Sequence, residues 1–349
     1  MAPLAFRTAF VGLSAIGLSL LWGTMALNGT LFKLLEVSGS GIYPDGRVME
    51  LSYTRLPLVD RLICILVAFF DVLSNLVDVA PYLMLLDLVG TIMVINLMTL
   101  VENRRSPRLG LSPTLWQYSW NCGGVAVFLP LYARNYVQEK PKKTYPLPRS
   151  EAQAIPFTTL WSVILALPLF VPALVTASPV RIQQGVVAFF FAIPAFSAFQ
   201  AVARRAIAKT GYVGSTKPIQ LAYLIAGGLS ALVHVGVIFY IARSSTDGLS
   251  LSRVFVPHPG RVQLGQPHVL TETSLLFIQY DYLVIYAVVA LLAFYAAYYG
   301  PTRKEVGGLT GLLAATVITV TLGAGAGLAF VLCGLEGRED LPKRAVSKT

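Results

Sequence analysis

Residues 61–101 are apolar almost without a break, and a soluble fold has no interior able to hide so long a run. A helix needs roughly 20 apolar residues to cross the hydrocarbon core of a bilayer. The run is too long for one crossing and suits two, with Pro81 starting the second, since proline is tolerated in the first turn of a helix and disfavoured inside it. Further apolar segments read as spans over 8–27, 115–132, 155–177, 184–203, 219–241, 274–299 and 308–333. The expected fold is all-α: a polytopic transmembrane helical bundle of about nine spans, or seven to eight if one segment is interfacial or re-entrant. The chain reads as one integral membrane domain over 1–349, with hydrophilic connections at 28–60 and 243–273.

Composition agrees. Charged residues make up 13% and hydrophobic residues 55%, against about 25% charged in a soluble domain. The net charge of +10 comes with basic groups at Arg104, Arg105 and Arg108, at Lys140, Lys142 and Lys143, and at Arg204, Arg205 and Lys209. Such groups mark cytoplasmic loops and headgroup anchors. No basic stretch outside the spans is interleaved with aromatic residues, so nucleic acid is not an expected partner. With nine spans and a cytoplasmic amino terminus, the groups around Lys142 and Arg205 face the cytoplasm. The glycosylation triplet Asn28-Gly29-Thr30 then faces the lumen. Arg104, Arg105 and Arg108 face it too, against the positive-inside rule. Cys64, Cys122 and Cys333 show no CxxC spacing and read as small buried hydrophobes. His234, His258 and His268 are too few and scattered for a metal cluster.

Ionisable groups inside spans are expensive and are functional candidates by default. Asp71, Asp78, Asp87 and Asp281 qualify, and Glu102 ends a span just before Asn103 and Arg104. The bland reading is that these carboxyls pair with helix ends or one another. Asp281 stands apart, flanked by Gln279, Tyr280 and Tyr282 early in a long apolar segment, with Tyr286 and Tyr295 beyond. A carboxyl group in a dry apolar pocket is held protonated and can donate that proton to an epoxide oxygen or an alkene. Aromatic faces then stabilise positive charge. Trp116 and Trp120 lie one turn apart in another segment, and the interface-anchor reading competes there. No DDxxD run is present to hold magnesium and a diphosphate. The sequence also lacks a P-loop, a histidine box, a heme-type cysteine motif and GxSxG.

Three segments carry a family resemblance. They are Leu100-Val101-Glu102-Asn103-Arg104-Arg105, then Trp116-Gln117 leading to the Gly123–Tyr132 stretch GGVAVFLPLY, and Gln279-Tyr280-Asp281. In this order and spacing the chain resembles the fungal membrane-bound terpene cyclases of the AscI and MacJ type, which act in meroterpenoid biosynthesis. The resemblance covers about 61–299. It implies cyclisation of a prenyl chain carried on an aromatic or polyketide head, started by protonation and needing no metal or other cofactor. On that reading Asp281 and Glu102 are the catalytic acid or its partner, and Gln279 orients the acid. Tyr282, Tyr286 and Trp120 shield the cation, and Trp116 and Asp87 complete the substrate-binding set. The implied partners are a lipophilic prenylated aromatic substrate, membrane lipid, and an upstream prenyltransferase and epoxidase, in the endoplasmic reticulum membrane. A proton-coupled transporter of a small lipophilic molecule is the alternative. A non-catalytic membrane scaffold and a magnesium-dependent prenyltransferase stand further off.

Overall fold

The computed structural model describes residues 4–106, 109–139, 147–176, 178–299 and 308–336. Within them the chain is helical, and its extended pairing is one isolated bridge between Ile42 and Val48. Six helices are long and apolar enough to cross a bilayer. The first is α1 (Leu4–Leu18) continued through a π turn, Ser19–Gly23, into α2 (Thr24–Leu27). The others are α5 (Val79–Arg105), α8 (Arg149–Val175), α9 (Pro179–Thr210), α10 (Pro218–Arg243) and α12 (Val269–Tyr298). At 1.5 Å per residue each exceeds the roughly 30 Å hydrocarbon core. Buried α5 and α12 form the centre, while α8, α9 and α10 turn Leu160, Ile164, Phe191, Leu224, Leu232 and Phe239 outward. An apolar outer surface of that kind is what lipid accepts and water does not.

Contacts assign the helix ends to two faces. On one, Phe6 packs edge-on against Tyr295 and Tyr299, Gln153 donates to the Ser215 carbonyl, and Arg105 Nη2 lies 2.7 Å from Glu336 Oε2. On the other, Leu264 packs on Gly29, Arg253 pairs with Asp78 and Glu272, and Gln183 bonds the Val48 carbonyl. The six long helices alternate between these faces.

The remaining helices fall short of that length or composition, so three of the nine expected spans are not met by single long apolar helices. Residues 61–101 supply one crossing rather than two. Helix α4 (Pro57–Ser74) packs with α3 (Thr30–Ser40) as a cap on the second face. Its Asp60 end is held by Ser52, Tyr53 and Thr54. Its Asp71 end is held by Arg47 at 2.7 Å, beside the α8–α9 connection at Thr176 and Pro179. The chain turns at Asn75–Asp78, with Pro81 inside the first turn of α5. The expected span 115–132 is instead two half-helices, α6 (Pro113–Gly123) and α7 (Val125–Glu139), which run into the bundle from the first face and back out. Likewise 308–333 forms α13 (Leu309–Leu322) and α14 (Ala324–Glu336), a second re-entrant hairpin. Gly308 N–H bonds Ala297 O beside the end of α12, and Glu336 returns to Arg105.

A hairpin tip at membrane depth leaves backbone groups without helical partners, and each must find one inside the protein. At the first tip the Trp22 indole donates to Gly123 O at 2.8 Å, and Asp281 accepts from Ala126 N at 2.7 Å. Gly124 makes the reversal with φ of 98°, a left-handed conformation open to glycine. Gly323 does the same at the second tip with φ of 90°, packed on the His234 ring. Asp71 and Asp78, read as intramembrane acids, therefore belong to the cap face and its arginines. Of the cysteines only Cys64 is buried; Cys122 is exposed and Cys333 intermediate.

With six crossings the described members of the basic groups, Arg104, Arg105, Arg204, Arg205 and Lys209, share the first face. The conflict that nine spans created for Arg104 and Arg105 is gone. Arg108, Lys140, Lys142 and Lys143 lie outside the described residues.

Candidate active site

The cavity begins with a chemical mismatch: a carboxyl group among hydrocarbon. Asp281 is 3% exposed on the inner face of α12. Its Oδ1 accepts from Ala126 N, with the Val125 amide also bonded. These are the first amides of α7, so the half-helix presents its positive end to the carboxyl. Around the carboxyl lies a narrow apolar cavity. Leu85, Leu88, Val89 and Ile92 of α5 form one wall, and Leu34, Leu66, Phe69 and Phe70 of the cap form the roof. Trp22, Trp120, Phe189 and Phe277 complete it, and Asp281 is the sole charged residue on its lining. The rings brace one another edge to face: Trp22 on Phe277 at 5.4 Å and Phe69 on Phe277 at 5.1 Å.

One residue further along α12, a second polar cluster faces the other way. Tyr282 Oη donates to Asp87 Oδ2 at 2.8 Å, and His234 Nδ1 lies 2.7 Å from the same oxygen. All three side chains are buried. Phe255 of α11 (Leu251–Phe255) packs tilted against the rings of both His234 and Tyr282. The cluster clamps α5, α10 and α12 together beneath the tip of the second hairpin. Neither Asp87, His234, Tyr282 nor Tyr286 is on the lining of that cavity.

A family model described as the CtvD domain matches residues 6–339. The chain belongs to the CtvD-domain family. Among curated proteins, the CtvD-domain chain is 27% identical to a protein named terpene cyclase DEP1 from Fusarium langsethiae, over 80% of this chain and 82% of that one. It is 29% identical to the DEP1 of Alternaria brassicicola, over 81% and 83%. Terpene cyclase alnG of Emericella nidulans is 25% identical, over 93% and 92%. These relatives agree with the resemblance to fungal membrane-bound terpene cyclases of the meroterpenoid type. No solved structure matches.

In this CtvD-domain structure the sequence candidates scatter. Asp281 and Trp120 meet in the cavity. Trp116 stacks on Trp120 at 6.1 Å and packs edge-on against Tyr132, one layer behind the lining. Gln279 does not orient Asp281. It donates to the carbonyls of Arg253 and Val254, both at 3.0 Å, and so anchors the 244–268 connection. Tyr286 packs edge-on against Tyr282 at 5.0 Å, outside the lining. Glu102 sits about 15 Å further along α5 than Ile92, from ten residues of helical rise. There it joins Arg105 and Glu336 in a buried ion-pair cluster on the basic face. His234, Trp22, Phe69, Phe189 and Phe277 were not expected at a site. Phe277 alone stood near a quoted motif, four residues before Asp281, where one helical turn sets both on the same face.

Proposed function

We propose that this protein is an acid-initiated terpene cyclase of the endoplasmic reticulum membrane, acting on a lipophilic prenylated aromatic or polyketide substrate. The observation that carries the reading is Asp281: one carboxyl group in the wall of an apolar, aromatic-lined cavity. The prenyl chain lies in the cavity with its end against Asp281, which gives its proton to a terminal epoxide oxygen or alkene carbon. As the C–O or π bond opens, the next double bond attacks, and the cation moves along the chain as rings close. Trp22, Trp120 and Phe277 offer their π faces to that charge, at about 0.5–2 kcal/mol each. The amides of Val125 and Ala126 receive the carboxylate that Asp281 becomes. It is the base on the lining able to take a proton back from the last cation, so the product is an isomer of the substrate.

The donor set supports protonation over diphosphate ionisation. Magnesium takes several oxygen ligands, and the lining offers one carboxyl group. Glu102, committed to Arg105 and Glu336, is a structural residue on this reading. The positive-inside rule turns the basic face to the cytoplasm and puts Asn28 and the cap in the lumen.

The test is turnover in microsomes given 2-farnesylphenol or its terminal epoxide in the presence of EDTA, with mass spectrometry seeking an isomeric product. Wild type and Glu102→Gln are expected to make it. Asp281→Asn, which keeps an acceptor for Ala126, is expected to lose about 10²–10⁴ in rate. Equal turnover by Asp281→Asn would remove the acid from the mechanism. No isomer from either substrate, with folded protein, would sink the cyclase reading.

A further inference from the structure

Beside the apolar cavity lies a second, narrow chamber between α5, α6, α8 and α9. The two share Val89, Ile92, Asn121 and Phe189 as walls. The second chamber differs in chemistry. It is lined by Asn96, Gln117, Asn121 and Ser162, all neutral, and by no ionisable side chain. Three of these are already engaged. Asn96 Oδ1 accepts from the Trp120 indole at 3.2 Å, Asn121 Nδ2 donates to Gln117 O at 2.8 Å, and Ser162 donates to Thr159 O. Gln117 is the exception. It is 2% exposed, and its Nε2 has no hydrogen-bond partner among the described residues.

A buried amide donor without an acceptor is costly, and three further amide or hydroxyl groups around it are dispensable to a simple lipid-facing core. We propose that this chamber is the head-group subsite. It takes a neutral, oxygen-bearing ring, a phenol or a carbonyl, whose oxygen accepts from Gln117 Nε2 while the prenyl tail runs into the apolar cavity toward Asp281. The assignment rests on the cyclase reading for its orientation, and it narrows the substrate class. A carboxylate or diphosphate head meets no cation in this chamber and pays its full desolvation. The shared wall residues put the head beyond Ile92 and Asn96 on α5 and the reacting end at Leu85 and Leu88. The substrate therefore lies along α5 with its polar end toward the basic face.

The experiment is equilibrium binding to purified full-length protein in detergent, read by quenching of the cavity tryptophans Trp22 and Trp120. Two probes that differ in one oxygen are compared, 2-farnesylphenol and farnesylbenzene. Wild type is expected to bind the phenol about tenfold more tightly. Gln117→Met, similar in volume, is expected to remove that preference and leave farnesylbenzene affinity within about twofold. Gln117→Asn, which keeps the amide on a shorter stem, guards against misfolding of the first variant and is expected to retain part of the preference. No preference in wild type, or the same preference in Gln117→Met, would overturn the proposal. Binding that discriminates without any turnover would sink the cyclase reading and leave the subsite standing.

Discussion

Gly124→Ala puts the re-entrant geometry at risk in a measurable way. Gly124 reverses the chain between α6 and α7 at φ of 98° and ψ of 135°, a region that costs an L-residue about 1–3 kcal/mol. Its added Cβ would overlap Leu21 Cδ1 and stand 3.3 Å from Asp281 Oδ1 and 3.4 Å from Phe277. Leu21 is fully buried, so it yields only by repacking, at about 1–3 kcal/mol. The sum is roughly 2–6 kcal/mol, with the α7 amides pushed off Asp281. Thermal unfolding in detergent reads the first effect and turnover the second. Gly260→Ala, which meets nothing within 4 Å, is the control and is expected to lie within about 0.5 kcal/mol of wild type. A double-mutant cycle with Leu21→Ala separates the parts. Removing Leu21 relieves the overlap and leaves the backbone cost, so the two substitutions are expected to couple favourably. A Gly124→Ala protein that melts and turns over like wild type would refute the hairpin tip as described.

The second tip has its own test: Gly323→Ala would bring a Cβ to 2.9 Å from the His234 ring. Displacing His234 from Asp87 is expected to cost about 2–4 kcal/mol in a denaturation experiment. Arg253 is buried between Asp78 and Glu272, at 2.6 Å from each. Burial opposes its charge, but those two carboxylates win and hold the guanidinium above its ordinary range. Arg253→Met is expected to cost about 1–3 kcal/mol and to open the 244–268 connection to protease added on the cap face; unchanged cleavage would count against the anchor. Burial pushes the Asp60 carboxyl up, yet hydrogen bonds from Thr54, Tyr53 and Ser52 outweigh it and hold it below the usual carboxylate range. A depressed folded-state value means stability present at neutral pH and lost as pH falls through it. Asp60→Asn is therefore expected to flatten the stability curve below about pH 5; a curve that stays parallel to wild type there would contradict this.

The sequence alone determined the medium. So many apolar residues and so few charges leave a chain no choice but lipid, and lipid requires helices, because backbone groups there have no water to turn to. It also singled out Asp281, a carboxyl amid Gln279, Tyr280 and Tyr282 early in a long apolar segment. Whether an apolar segment crosses or turns back was decided only in three dimensions. Residues 115–132 and 308–333 have the length and hydropathy of spans. They turn back because a glycine in each can take a positive φ and because a distant residue, Asp281 or His234, waits at the tip. The same holds for the acids. Glu102, Asp87 and Asp281 are each a carboxylate in or at the end of an apolar run. The first has an arginine one turn along its own helix, joined there by the distant Glu336; tertiary packing gave the second a histidine and a tyrosine, and the third a cavity. The physical reason is that a carboxyl group takes its character from the partners within a few ångströms. In this chain those partners arrive from helices more than a hundred residues away.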